Sequence, residues 1–471
     1  MKLFNTLTNT LEAYAPQDGK TVGMYVCGPT VYDNVHIGNL RPILVFDTMR
    51  RYFEQFKKWD VVHVQNVTDV DDKLINRSIE TGESVEEIAE IYTKAFFDLV
   101  EGLGVLEPTH SPKATEHITE MIELIRELET AGYAYAQDGD VYFRVEAVSD
   151  YGKLSGHRPE DQEAGARIAA SEKKENPLDF TLWKAAKPGE PKWPSPWGEG
   201  RPGWHTECVV MSRKYLGDRR DIHAGGFDLA FPHHENEIAQ AEATTEGPFF
   251  RFWLHNGLLS FEGEKMSKSL GNFAYAKDVL EQFDPETVRY FYLSRHYRKP
   301  LAYSVEGLEA ARTAVVRANN VLSELDAELE DISSASWGAE GDALVQAVED
   351  FRSRYIQAMD DDLNTSGALG AIHELLSAIG RFRQSAPADE RGALKVAVQA
   401  VRELGKPLGL FQPREAARVT GIEPDLIGLL IELRASLRTK KEFELTDRIR
   451  DRLGELGVVL KDTPEGTTWS S

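Results

Sequence analysis

GMYVCGPTVYDNVHIGNLRPILVFDTMRRYFEQFKKWDVVHVQNV, residues 23–67, decides the architecture. Gly23–Val31 reads as a buried strand running into a Gly28-Pro29 turn. Asn39 is placed to cap a helix from Leu40 to about Phe56. In it Leu40, Ile43, Leu44, Met49, Tyr52, Phe53 and Phe56 recur mostly three or four residues apart. Asp60–Val67 is β-branched and reads as a second strand. Strand, helix, strand is a βαβ unit. It implies a parallel sheet whose ligands sit at the carboxyl ends of the strands.

Downstream the character shifts near Glu120. A helix through Leu128 leads to a strand at Tyr142–Val145. Asp150–Gly203 then becomes rich in Gly, Pro, Lys and Trp, as an inserted module with long loops would be. Strand patterns return at Asp221–His223 and Phe252–Leu259, so the first domain resumes after the insertion. Beyond Asp284 the pattern is helical. Val305–Leu325, Ala343–Met359, Thr365–Phe382 and Leu394–Leu404 carry apolar faces, the third following the acidic run Asp360–Asp362. Ser333–Gly341 reads as an inter-helix loop, and Pro407–Pro424 as a break before a small terminal module.

The chain has 471 residues, enough for about three domains. Apolar residues are 41% and charged residues 28%, which excludes wholesale disorder. The longest apolar run, near Leu426–Ile431, is far too short for a bilayer, and MKLFNTLTNT lacks the pattern of a signal peptide. No membrane and a cytoplasmic location are the expectation. The formal charge of −23 argues against nucleic acid only as a whole-chain sum, because binding depends on local patches. Arg434–Arg452, and Arg289 with Arg295, Arg298 and Lys299, are candidate basic strips. Two cysteines, Cys27 and Cys208, make no disulfide framework.

Three segments carry chemistry. His36-Ile37-Gly38-Asn39 lies between the first strand and its helix, where free N–H groups suit a phosphate and Gly38 admits a ligand close to the backbone. Lys265-Met266-Ser267-Lys268-Ser269 offers two ammonium groups for a leaving pyrophosphate. In DIHAGGFDLAFPHHENEIAQ, residues 221–240, Gly225 and Gly226 allow close approach and Asp228 suits a ribose hydroxyl. Pro232 starts a helix there, on which His233 and Glu237 share a face. With Cys27 and Cys208 they form a sensible zinc set. His234 is the rival ligand, but its partner four residues on is Ile238, which cannot coordinate. Thr68, Trp204 and His205 are candidate substrate-binding residues. The bland readings are a surface pair for His233 and Glu237 and a solvated loop for the lysines.

The order of these segments resembles class I aminoacyl-tRNA synthetases. MYVCGPTVYDNVHIGN, GRPGWHTEC, FPHHENEIAQ, KMSKSLGN and the ending DRIRDRL…GTTW are similar to the cysteinyl-tRNA synthetase family, from Leu3 to Trp469. The resemblance implies a Rossmann-like α/β catalytic domain in two halves, 1–120 and 201–250, around a connective insertion at 121–200. A loop and stem-contact region at 251–310, an all-α bundle at 311–405 and an anticodon-recognition module at 406–471 would follow. It implies activation of L-cysteine by ATP, carried with Mg²⁺, then transfer to tRNA. It places one zinc per chain on Cys27, Cys208, His233 and Glu237, and His36, Asn39, Lys265 and Lys268 at the ATP phosphates. Asn39 stands where the class signature has His, and Ala224 where Gly is common. A monomer is the expectation. The alternatives are a cysteine ligase that acylates an amino sugar, as in the mycothiol pathway, a synthetase-like regulatory binder and a zinc hydrolase.

Overall fold

The structure is a computed structural model that describes residues 1–157, 174–261, 264–265, 274–330, 332, 337–385, 387, 390–413, 423–440, 442–455, 458–463 and 466–470. It divides into two compact units, Met1–Phe411 and Gln412–Ser471.

The centre of the first unit is a four-stranded parallel sheet in the spatial order Phe252–Asn256, Ile222–Gly226, Thr21–Val26, Asp60–Gln65. The chain leaves Thr21–Val26 toward one edge, through helix Leu40–Tyr52, and later returns on the other side. The reversal lies between Thr21–Val26 and Ile222–Gly226. Their carboxyl ends open the crevice in which such sheets bind ligands. Strand Thr21–Val26 is buried on both faces, which explains its unbroken apolar sequence.

The first strand is shorter than its apolar run suggested. Cys27 still donates to the Ala224 carbonyl at 3.1 Å, but Gly28 and Pro29 then leave the ladder. Asn39 does not cap helix Leu40–Tyr52 through its side chain. Instead Ile37–Asn39 forms a 3₁₀ turn ahead of the helix, and Asn39 Oδ1 accepts the His36 N–H at 3.1 Å.

At the same helix start, fully buried Arg41 donates to four main-chain carbonyls. They are Gly257 (2.6 Å), Leu258 (3.0 Å), Lys299 (2.5 Å) and His296 (3.4 Å). Burial pushes its guanidinium down to about 10. This fork ties the helix to the strand Leu259–Phe261, which leads toward the lysine-rich loop.

The insertion contains a four-stranded antiparallel sheet, Ala134–Gln137, Asp140–Phe143, Phe180–Ala185 and Gly200–Pro202 in sequence order. Only its second strand was legible, as Tyr142–Val145; Val145 itself opens a 3₁₀ turn.

Helices Val305–Glu328, Ala339–Asp360, Thr365–Ser385 and Gly392–Gly405 pack around Leu325, Leu344, Ile372 and Val401, in one core continuous with Val22 and Met24 of the sheet and Phe46 of helix Leu40–Tyr52. The second helix begins at Ala339, inside the stretch expected to be a loop, of which 333–336 lie outside the described residues. The acidic run joins the bundle to the amino-terminal strand Lys2–Asn5 and to helix Leu40–Tyr52. Asp362 accepts from Phe4 N–H (2.9 Å), Tyr297 hydroxyl (2.8 Å) and Arg298 Nε (2.5 Å), while Asp360 accepts from Tyr52 hydroxyl (2.8 Å).

These contacts correct the first basic strip. Arg289 is buried, donating to Asp47 and to the Leu103 and Leu408 carbonyls at 3.2 Å each, and Arg298 is paired with Asp362. In the second unit, helices Glu423–Thr439 and Phe443–Glu455 accompany a hairpin of Val459–Thr463 and Gly466–Ser470. Arg434, the first residue of the other strip, is buried in a two-pronged pair with Asp462 at 2.8 and 2.9 Å. Among the described residues no helix is long and apolar enough to cross a membrane.

Candidate active site

Cys27 follows strand Thr21–Val26, and Cys208 lies in the first turn of helix Glu207–Leu216. Phe231 is extended; from Pro232 the backbone turns helical, and the run carries His233 and Glu237 into helix Glu235–Thr244. The sheet's switch point brings these separate segments together. The two sulfurs are 3.9 Å apart, Cys208 Sγ lies 3.5 Å from His233 Nε2, and His233 Nε2 lies 3.0 Å from Glu237 Oε1. The four donors fall within 4.8 Å of one another.

A second set, Cys27, His223, His234 and Glu237, meets the same limit. His234 Nε2 is 3.2 Å from Cys27 Sγ, and His223 Nε2 is 2.8 Å from Glu237 Oε2. The exclusion of His234 through Ile238 therefore fails as an argument, because its companion donor comes from the Ile222–Gly226 strand. His223 was missed. Its signal was a lone imidazole in an otherwise apolar, buried strand.

The electrostatics fit a cation. Burial holds the Glu237 carboxyl and the Cys208 thiol well above their ordinary ranges and pushes the Cys27 thiol up to about 11. Burial likewise keeps His223, His233 and His234 neutral, the state in which an imidazole coordinates. Two thiols, neutral imidazoles and a buried carboxylate form a donor set that a divalent ion would satisfy.

Outer partners orient the donors. His205 Nδ1 and His233 Nδ1 share a hydrogen bond at 3.0 Å, and Gln240 donates to the His205 carbonyl at 2.9 Å. His234 Nδ1 meets His255 Nε2 at 2.8 Å, and His255 Nδ1 meets Thr6 Oγ1 at 2.8 Å. Such second contacts fix imidazole orientation.

The cleft above this cluster is lined by Cys27, His36, Gly38, Asn39, Asp228 and Trp204, among others. Trp204 stacks on His233 with ring centres 4.2 Å apart, and it is 38% exposed toward solvent. The His36 turn is fixed from several sides. Ile37 N–H donates to the Ala274 carbonyl at 3.0 Å, and the Tyr292 hydroxyl donates to the Ile37 carbonyl at 2.5 Å. Gly38 gives the His36 imidazole its room, since a Cβ there would lie 2.8 Å from the ring.

Gly226 borders the cleft, whereas the space beside Gly225 is filled by Leu229 and the His234 ring. Thr68 is buried and donates to Glu207 Oε1 at 2.7 Å. Lys265 pairs its backbone with Ser260 in a short hairpin, and Lys268 lies outside the described residues. Sequence reading also missed Glu207 and His255, whose partners come from distant segments.

Residues 13–313 match the tRNA synthetases class I (C) catalytic domain, and 354–412 match the DALR domain. A cysteine–tRNA ligase of Caldicellulosiruptor saccharolyticus is 49% identical over 99% of this chain and 99% of its own length. The chain belongs to the cysteine–tRNA ligase family. A second family member, from Clostridioides difficile, is 48% identical over 100% of this chain and 99% of its own length. The fold reaches further. Mycobacterium tuberculosis methionyl-tRNA synthetase in complex with methionyl-adenylate superposes with a TM-score of 0.64 at 18% identity, covering 83% of this chain and 91% of that one. The α/β class I architecture with a helical carboxyl-terminal half is thus shared. Because the ligases match along their whole length, the amino-sugar alternative is not favoured.

Proposed function

We propose that this chain joins L-cysteine to tRNA in two steps. A cysteine carboxylate oxygen attacks the α-phosphorus of ATP, forming cysteinyl-adenylate and releasing pyrophosphate. A hydroxyl of the tRNA's terminal adenosine then attacks the carbonyl carbon, and AMP leaves. The observation that carries this reading is the near-full-length identity to cysteine–tRNA ligases. The placing of the thiol–imidazole–carboxylate cluster at the floor of the cleft that carries His36 supports it.

His36, Gly38 and Asn39 hold ATP phosphates at the start of helix Leu40–Tyr52, and Gly226 and Asp228 border the ribose, whereas Gly225, packed against Leu229 and His234, does not reach it. Lys265 and Lys268 neutralise the departing pyrophosphate, with Mg²⁺ carried on the nucleotide. Cys27, Cys208, His233 and Glu237 hold one zinc. When bound, that ion supplies a soft acceptor for a thiolate, which a serine hydroxyl matches poorly. Thr68, Trp204 and His205 shape the amino-acid pocket, Thr68 acting through Glu207.

The region 251–310 carries the lysine loop and contacts the tRNA stem, and 406–471 reads the anticodon. The protein works as a monomer in the cytosol. Cysteine-dependent ATP–pyrophosphate exchange, followed by charging of bulk tRNA with cysteine, tests the proposal. Exchange without charging would remove tRNA as the acceptor.

A further inference from the structure

The cleft that has to receive phosphate carries little positive charge on its described walls. Among the described residues lining it there are two carboxylates, Asp33 and Asp228, and a single lysine or arginine, Lys73. A polyphosphate set against those carboxylates is repelled unless a cation stands beside it.

Lys73 is the second residue of helix Asp72–Thr81, anchored by buried Leu74 and Ile75. Asp71 caps that helix by accepting the Lys73 N–H at 2.8 Å. The neighbouring carboxylate of Asp72 is taken up by Lys184 at 2.5 Å and by Arg201, which come from two strands of the inserted sheet. Lys73 itself forms no ion pair among the described residues. Its ammonium lies 5.4 Å from the centre of the Tyr32 ring, and Tyr32 also borders the cleft. An aromatic face holds a cation at an exposed site only weakly and does not neutralise it. The charge stays available to an anion, and the helix fixes where it is.

We infer that Lys73 is a fixed phosphate-binding cation of this cleft, contacting a phosphate of ATP or of the 3′-terminal nucleotides of tRNA. The inference rests on the ligase reading given above. It adds to the loop lysines a cation whose position is set by a packed helix.

The test uses the full chain as wild type, Lys73→Met and Lys73→Arg, with thermal melting as the folding control. One arm measures cysteine-dependent ATP–pyrophosphate exchange at varied ATP. The other measures single-turnover transfer from enzyme-bound cysteinyl-adenylate to tRNA. Lys73→Met should lose at least about tenfold in one arm, and Lys73→Arg should recover to within about threefold of wild type. A fall in exchange kcat/KM for ATP assigns the contact to ATP phosphate. A fall confined to transfer, with a shallower salt dependence, assigns it to tRNA. No loss in either arm, or a loss that arginine fails to restore, overturns the inference. A wild type inactive in both arms would instead sink the ligase reading.

Discussion

Replacing Arg41 by methionine should damage stability and adenylation together. The side chain is fully buried and spans two segments more than 200 residues away in sequence, at 257–258 and 296–299. Three of its hydrogen bonds are 3.0 Å or shorter. At about 1.5 kcal/mol each for a charged donor they contribute about 4.5 kcal/mol. Methionine fills part of the space and returns about 1 kcal/mol of apolar burial. The expected loss is therefore about 3–4 kcal/mol, or a drop of about 1 M in the urea midpoint. Gly257 and Leu258 border the cleft and lead into the strand before the lysine loop, so single-turnover adenylation should fall at least about tenfold. Lysine at position 41 keeps the charge but not the fork, and should give intermediate values. Urea unfolding and rapid-quench adenylation measure both. A methionine variant with an unmoved midpoint and a wild-type rate would refute the reasoning.

Metal analysis should find one zinc per chain; stripping it with a chelator should lower the thermal midpoint and abolish cysteine selection, and full activity in chelator would contradict the assignment. Cys208→Ser should weaken cysteine binding sharply and narrow its preference over serine, read by exchange with each amino acid. His63 is buried and burial, reinforced by Arg50, pushes it down to about 3. It stays neutral in the fold while the unfolded chain takes up a proton below about 6.5, so stability falls with pH between those values by about 1.4 kcal/mol per unit. His63→Leu should lower proton uptake on unfolding by one between about pH 6 and 4, measured by urea unfolding across that range. Deleting Gln412–Ser471 should weaken tRNA charging and spare ATP–pyrophosphate exchange; equal damage to both would make that unit structural.

The βαβ start was legible because helix Leu40–Tyr52 carries apolar residues at helical spacing and strand Thr21–Val26 is apolar on both faces. Pairing set what periodicity could not. The strand stops at Val26 because, after Cys27 has reached the Ala224 carbonyl, the Gly28 N–H goes to the Asn66 side chain instead of a neighbouring backbone carbonyl. Strands Phe180–Ala185 and Gly200–Pro202 were hidden because a Gly- and Pro-rich stretch separates them and the second has only three residues. Arg289 looks like a surface base until Asp47, 242 residues earlier, is seen to cover it. The first donor set was readable from one helix face plus two leftover thiols. The second escaped because i,i+4 spacing says nothing about a donor arriving from a strand.

The spacing of the donors also sets a timetable. Cys27 and Glu237 are separated by 210 positions, so a ribosome making roughly 5–20 residues per second finishes the set some 10–40 s after the first thiol. For the first 181 positions of that interval Cys27 lacks its sulfur neighbour, its imidazoles come later still, and the inserted sheet has to be synthesised before Cys208 appears. Closing a loop of this length costs entropy that only the assembled crevice returns. Capture of the proposed zinc would then be a late event in synthesis, and a nascent chain stalled before residue 208 should remain open to thiol reagents at Cys27, a position that the finished protein half buries.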